Sequence, residues 1–408
     1  MKTFSKIAWR NITRNKRRSL ITICAVGFGL GALIFMLSFV DGAHKQMIEN
    51  YTSLMPGHIQ IHRQGFHQKK KLELNISQPA AIVAQVKKNP SVQAVALRIK
   101  AVGLISSAES SAGIMVIGIY PDDEKNVSTL HKRLREGEFL KNDSNQDIVL
   151  GVSLAKNLSV HLGDKVVIMS QALDGSIAAG AYRIKGIFDT GTEEVDQGLV
   201  LITHQAAQDL FAMPEATSEI ALRIHSATDS PVIADQIRKN LVQPDLEILP
   251  WQEISPSFQE WIEFDNGFIW IIVCVVMIVV AIGILNTILM GVLERTREFG
   301  ILLALGTKQK EIVIIVGWEA IFLSALGSLA GMLIGISLTI FFDKTGINLN
   351  LFTKALNSLY IDAVIYPQLN LGHMLTSVVL VLTTSLIVSI YPAWHAARLK
   401  PMDAIRSI

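Results

Sequence analysis

Four long apolar runs dominate the pattern of this chain, each uninterrupted enough to suit lipid rather than a protein core. Residues 19–40 and 268–293 carry no charge, 312–342 carry Glu319 alone, and 371–394 hold no acid, lysine or arginine and a single histidine, His373. About 20 apolar residues cross a bilayer core, so the pattern predicts four transmembrane helices over those ranges. Between the runs, polar residues fall into one large block, 41–267, and into short segments at 1–18, 294–311, 343–370 and 395–408.

The large block alternates in a way that predicts an α+β domain. His58-Ile-Gln-Ile-His62 has the period of a strand, residues 79–88 read as a helix and 92–99 as a second strand. Near the other end, 219–225, 231–241 and 246–249 repeat that order of strand, helix and strand. Two such units suggest a split core carrying an insertion, about 103–217, with strands at 114–119, 166–169, 182–188 and 199–202. Gly163-Asp164 and Asp174-Gly175 mark turns within it.

In the first 18 residues Lys2, Lys6, Arg10 and Arg14 recur every four positions, with Phe4, Ile7, Ala8 and Ile12 on the opposite side. This predicts an amphipathic helix on the inner leaflet, with Trp9 at the boundary. Charge near the spans sets the expected orientation. Lys and Arg concentrate in 1–18, at Arg295, Arg297, Lys308 and Lys310, and at Arg398, Lys400 and Arg406, whereas 343–370 hold only Lys344 and Lys354. Positive residues stay inside, so both termini are expected in the cytoplasm and 41–267 in the periplasm of an inner-membrane, multi-pass protein. The apolar stretch of 19–40 is too long for a cleaved signal, which makes it an anchor.

The net charge of +2 gives no reason to expect nucleic acid as a partner, because topology accounts for the basic residues. No glycine is followed by lysine, so there is no P-loop, and the zinc-protease, serine-hydrolase and Cys-x-x-Cys motifs are missing as well. A non-catalytic subunit is therefore expected, with no cofactor or metal held by this chain. Cys24 and Cys274 belong to different depths of two spans and are expected to stay unpaired. His58 and His62 share a strand face and His67 follows, but no acid or thiol completes a ligand set, so they are read as ordinary strand histidines. Asp189, Glu193, Glu194 and Asp196 are read as a solvated turn, with cation binding the alternative.

Three features inside the spans point to packing and coupling. Gly327, Gly331 and Gly335 recur every four residues, as Gly27 and Gly31 do in the first span, and small residues at that spacing let helices approach closely. Asn286 and Glu319 lie eight residues from the ends of the short 294–311 segment, hence at one depth, and are expected to meet as an intramembrane polar pair. The segment itself, Glu294-Arg-Thr-Arg-Glu-Phe-Gly-Ile-Leu-Leu-Ala-Leu-Gly306 and onward to Glu311, surrounds an apolar run with both signs of charge. Such a segment suits a partner's grip.

Those residues, together with Tyr391-Pro-Ala-Trp-His-Ala-Ala-Arg-Leu-Lys-Pro-Met-Asp-Ala-Ile405 and Ala8-Trp-Arg-Asn-Ile-Thr-Arg-Asn-Lys-Arg-Arg-Ser19, resemble the signature of MacB/FtsX-type ABC transporter permeases. Within that group the Pro56–Ile61 strand, and Lys185–Gly191 followed by Asp196, are most similar to the lipoprotein-releasing LolC and LolE subunits. The resemblance implies a MacB-like periplasmic core and a second permease copy or paralogue. It also implies a cytoplasmic ATPase dimer holding ATP and Mg, whose closure is relayed mechanically to release or export a lipoprotein or other amphipathic cargo. Glu294, Arg295, Arg297, Glu298, Phe299, Gly300 and Leu303 are the residues expected to contact that ATPase. LolC-like chains carry a chaperone-recruiting hook, whereas the matching stretch here, Gln171–Tyr182, has no proline and is not assigned one. A periplasmic chaperone or adaptor thus stands only as a partner by resemblance. The alternative reading is an FtsX-like signalling protein that regulates a periplasmic cell-wall enzyme without moving a substrate.

Overall fold

The structure, a computed structural model, describes residues 2–398 except 242. Lys400, Arg406 and the end of the Tyr391–Ile405 motif lie outside the described residues. The described residues form two compact units, one within 2–44, 262–348 and 364–398 and the other within 45–261 and 349–363.

The first unit holds the greater part of four helices long and apolar enough to cross a membrane, Lys16–Leu54, Pro256–Glu294, Gln309–Thr345 and Leu371–Ala397, called here spans one to four; residues 45–54 and 256–261 of the first two fall in the second unit. Polar side chains within them turn back on their own helix. Thr339 Oγ1 donates to the Gly335 carbonyl and Ser377 Oγ to the His373 carbonyl, both at 2.8 Å. This satisfies hydroxyls where lipid cannot. Span four begins at Asn370, whose side chain accepts the Gly372 N–H at 2.9 Å and so satisfies an otherwise unpaired helix-end donor. In span two Ile269, Val273, Met277, Val280, Ile284 and Ile288 recur at steps of three or four and are buried against the other spans. Two His–Asp pairs, unforeseen in the sequence, join the spans away from the 294–311 segment. His373 Nδ1 lies 2.8 Å from Asp41 Oδ2, and His44 Nε2 2.7 Å from Asp265 Oδ2.

Spans one and three meet through glycine. A Cβ placed on Gly331 would stand 2.7 Å from the Gly27 carbonyl oxygen, one on Gly327 2.7 Å from Val26, and one on Gly335 2.8 Å from Ile34. The same atom on Gly317 would meet nothing within 4 Å. Gly331→Leu is therefore expected to cost about 1–3 kcal/mol by overpacking. Thermal melting of the purified protein should show a lowered midpoint for that variant and an unchanged one for Gly317→Leu.

The second unit is organised on a ten-stranded sheet. In chain order the strands are β1 Ile59–Arg63, β2 Val92–Ser106, β3 Ser111–Ile119, β4 Leu134–Gly137, β5 Asp147–Gly151, β6 Lys165–Gln171, β7 Ile177–Phe188, β8 Leu199–Thr203, β9 Glu219–Ile224 and β10 Leu246–Pro250. The path β10-β1-β9-β2 interleaves the two strand–helix–strand units, with helices Pro79–Val86 and Ser230–Asn240 supplying the crossovers. This is the split β-α-β arrangement of ferredoxin-like cores. The region read as an insertion does not form a sheet of its own. β2 runs on to Ser106, pairs with β3 from Arg98↔Ile119 to Ser106↔Ser111, and so extends the same sheet through β8, β5, β7 and β4. Between β6 and β7 a tight turn at Asp174-Gly175, with Gly175 at φ 84°, closes a hairpin.

The acidic turn is only partly a solvated one. Asp196 is buried, and its Oδ1 accepts the Thr190 N–H at 3.0 Å and the Thr190 hydroxyl at 2.8 Å. A carboxylate so bound organises the loop before helix Glu193–Gly198 from inside.

Two further histidines are buried without full partnership. His58 Nδ1 accepts the Ile224 N–H at 3.3 Å while Nε2 has no hydrogen bond, and neither ring nitrogen of His204 has one. Burial, with Arg223 adding to it at His58, pushes both down to about 4 from the usual 6.5. The unfolded chain then binds more protons than the native one between those values, so native stability falls as pH drops from about 6.5 to about 4, by about 3 kcal/mol per histidine. Denaturant titration of the protein at a series of pH values should show this decline, with the midpoint level above the upper limit.

Candidate functional site

The 294–311 segment folds as a nine-residue helix, Thr296–Ala304, between spans two and three. Gly306 at φ 92° ends it in the left-handed region that favours glycine. The next helix is started by Glu311, whose Oε2 accepts the Lys308 N–H at 2.9 Å.

One face of this short helix belongs to the core. Phe299 is fully buried with Ile312, Val316 and Ala396, and Leu302 and Leu303 pack beside it. Arg295 is 7% exposed and bonded through each of its three nitrogens. Its Nε donates to Glu298 Oε2 at 2.9 Å and its Nη1 to Glu319 Oε2 at 3.1 Å, and its guanidinium lies 4.9 Å from the centre of the Phe299 ring. Asn11, its amide oxygen turned to the guanidinium, accepts from Nη2 at 2.7 Å. The helix Lys2–Arg14 that carries Asn11 rests on span three, with Trp9 edge-on to Phe322 at 5.7 Å. Two more arginines extend the brace: Arg14 Nη2 reaches Glu298 Oε1 at 2.5 Å and Arg18 Nη1 binds Glu294 Oε2. Burial works against ionisation of Glu298, but the Arg295 and Arg14 hydrogen bonds outweigh it and hold the carboxyl below its usual range.

The expected site residues therefore divide. Arg295, Phe299 and Gly300 point into the protein, Leu303 is half-buried, and Glu294 and Glu298 are engaged by arginines of this same chain. Of the seven, Arg297 alone is both exposed and without an ion pair among the described residues. The helical period explains the split: with Phe299 inside, residues 297, 301 and 305 fall on the opposite side, and Ile301 and Leu305 are 44% and 79% exposed. The exposure of Ile301 and Leu305 is not legible in the sequence, because the run Phe299–Leu305 is apolar on both faces, which leaves the phase of the helix unmarked. The expected Asn286–Glu319 pair does not form among the described residues. Asn286 is exposed on span two, while Glu319 takes the Arg295 guanidinium. An ionised partner offers a carboxylate in a low-dielectric setting more than a neutral amide does.

In the second unit the three sequence-highlighted histidines serve separate ends. His62 Nε2 lies 3.1 Å from Glu219 Oε2 in the register partner of β1, His67 stacks on His62, and His58 is tied to Ile224. Beside them is a buried charge cluster that sequence reading missed. Arg98, 1% exposed, donates Nε and Nη2 to the two oxygens of Glu124 at 2.9 and 2.6 Å, and Nη1 to Glu219 Oε1 at 2.9 Å. Lys100 Nζ takes the other Glu219 oxygen at 2.6 Å. Burial opposes the Glu219 charge, but Lys100, then His62 and Arg98, hold it far below the usual carboxylate range. The available signal was Arg98 and Lys100 two apart on one face of an otherwise apolar strand, opposite the glutamate that opens β9.

The MacB-like periplasmic core domain family matches residues 19–240, and the FtsX-like permease C-terminal family matches 270–401. The chain is 23% identical over 424 residues to the lipoprotein-releasing system transmembrane protein LolC of Neisseria meningitidis, covering 99% of each. It is 22% identical over 420 residues to LolE of Haemophilus influenzae, covering 98% of each. With the macrolide export ATP-binding/permease protein MacB of Bartonella henselae it shares 23% over 403 residues, which are 96% of this chain and 57% of that protein. The two families between them take in all four spans and most of the sheet, and the chain belongs to the MacB/FtsX-type ABC transporter permeases.

Proposed function

We propose that this permease works with a separate ATPase, which docks on the outward face of helix Thr296–Ala304 at Arg297, Ile301 and Leu305. The observation that carries this reading is the exposure of two large apolar side chains and a free arginine on a helix otherwise locked in place. Arg295 ties that helix to span three through Glu298 and Glu319, Arg14 ties it to the first helix and Arg18 joins spans one and two beside it, so a push on its outer face passes to the spans rather than being absorbed by a loose loop. ATP and Mg belong to the partner, in keeping with the missing P-loop here.

The cargo proposed is a lipoprotein or another amphipathic molecule taken from the inner membrane, by analogy with the LolC and LolE relatives, with both termini in the cytoplasm and a second permease copy or paralogue completing the complex. Purification in native lipid, followed by mass spectrometry of what accompanies the chain, tests this. A nucleotide-binding subunit and a lipidated protein are expected. A cell-wall hydrolase or a sensor kinase in place of cargo would contradict transport.

A further inference from the structure

The second unit contains a cavity of about 480 Å³, a size within the usual range for small-molecule sites. Its lining has two characters. Leu54, Met115, Val195 and Leu199, with the rings of Tyr51 and Tyr360, make an apolar and aromatic part. His62, His67, Lys70, Lys100 and Glu219 make a polar part.

The polar part contains donors that its own acids do not engage. Glu219 is consumed by Arg98, Lys100 and His62, and Glu124 by Arg98, so the two acids of the cluster already balance Arg98 and Lys100. His67 and Lys70 stand beside this cluster, with Glu247 accepting the His67 N–H, and neither makes an ion pair among the described residues. Lys70 is held at the end of the short helix Phe66–Lys69 at φ 48°. His62, 1% exposed, leaves Nδ1 without a hydrogen bond; the nearest acid oxygen, Glu247 Oε1, is 3.8 Å away and already accepts the His67 N–H. Burial, then His62, lowers the His67 pKa; Glu247 favours its charge, while Lys100 and Lys70 disfavour it. Burial lowers that of Lys100 as well, against the pull of Glu219. The remaining acid of the lining, Glu194, adds to burial in raising the pKa of both Tyr51 and Tyr360 and so acts on the aromatic part.

We infer that this cavity binds a small organic carboxylate with an apolar body, its acid group set among Lys70, His67 and Lys100 and its body against the aromatic and aliphatic part. The anion would meet Lys70, which makes no ion pair among the described residues, and proton uptake at His67 would accompany it. Binding should therefore tighten as pH falls toward the ordinary histidine range.

The test is calorimetric titration of the full-length protein in nanodiscs with phenylpropanoate, phenylpropylammonium and phenylpropanol, which share one body and differ in charge. Phenylpropanoate is expected to bind about tenfold or more tighter than the other two, which corresponds to one charge-assisted contact. Lys70→Ala, on an exposed side chain that holds nothing else, should weaken it about fivefold or more with an unchanged melting point. Lys100→Met should weaken it too. Equal binding of the alcohol or the ammonium probe, no effect of Lys70→Ala, or no binding of phenylpropanoate at millimolar concentration would each overturn the inference.

Discussion

Arg98→Met is expected to destabilise the sheet unit by about 3–5 kcal/mol, the range for removing one partner of a buried ion pair. The side chain is replaced by one of similar length, so little packing is lost. What is lost is the only donor that reaches both Glu124 oxygens and the first oxygen of Glu219 among the described residues. Its Nη1 also donates to the Met55 carbonyl at 2.6 Å, which would lose that partner. Two carboxylates would then be buried with Lys100 and His62 as their sole compensation. Urea denaturation of the full-length protein, followed by a proteolysis readout of the sheet unit, should show the shift. Adding Glu124→Gln and Glu219→Gln to Arg98→Met should recover a large part of it, because replacing a whole buried ionic group costs less than breaking one. A loss below about 1 kcal/mol in the single variant would place the cluster in contact with water and remove its structural role.

A second large effect is expected in the membrane unit. Arg295→Leu strands Glu319, whose side chain is 12% exposed, with no cation bonded to it. A charge left alone there is costly, and about 3 kcal/mol or more of destabilisation follows. Glu319→Gln in the same chain should restore the melting point, although Glu319→Gln alone strands Arg295 only in part, since Glu298 and Asn11 still hold it. That asymmetry is specific: a merely bulky role for Arg295 predicts no rescue by Glu319→Gln. Thermal unfolding of the four proteins in one detergent decides the point.

The contrast between these two networks shows what the sequence could and could not reveal. The spans were legible because hydropathy reports the solvent a helix meets. Their ends were less so, because span one continues past Asp41 and His44 to Leu54 and hydropathy does not sense backbone hydrogen bonds. The paired strand–helix–strand units were legible from period alone, since β1, β2, β9 and β10 lie close to where alternation put them. That the intervening strands extend the same sheet was not, because register between β2 and β3 depends on partners far along the chain. The same limit hid the Arg98 cluster and the Arg295–Glu319 pair. In both, one residue looks anomalous in its own segment, and only the fold shows the opposite charge that neutralises it. Depth along a helix brought Asn286 and Glu319 to one level, but level is not azimuth, and Asn286 faces away.

The central claim is that an ATPase grips the outward face of helix Thr296–Ala304 while its inward face holds the spans. The direct measurement is the yield of ATPase that co-purifies with the wild-type chain and with Ile301→Asp/Leu305→Asp, alongside the melting point of each. The claim predicts an ATPase bound to the wild type and lost from the double variant at an unchanged melting point, since both side chains are exposed. An ATPase retained at full yield by the double variant would contradict it.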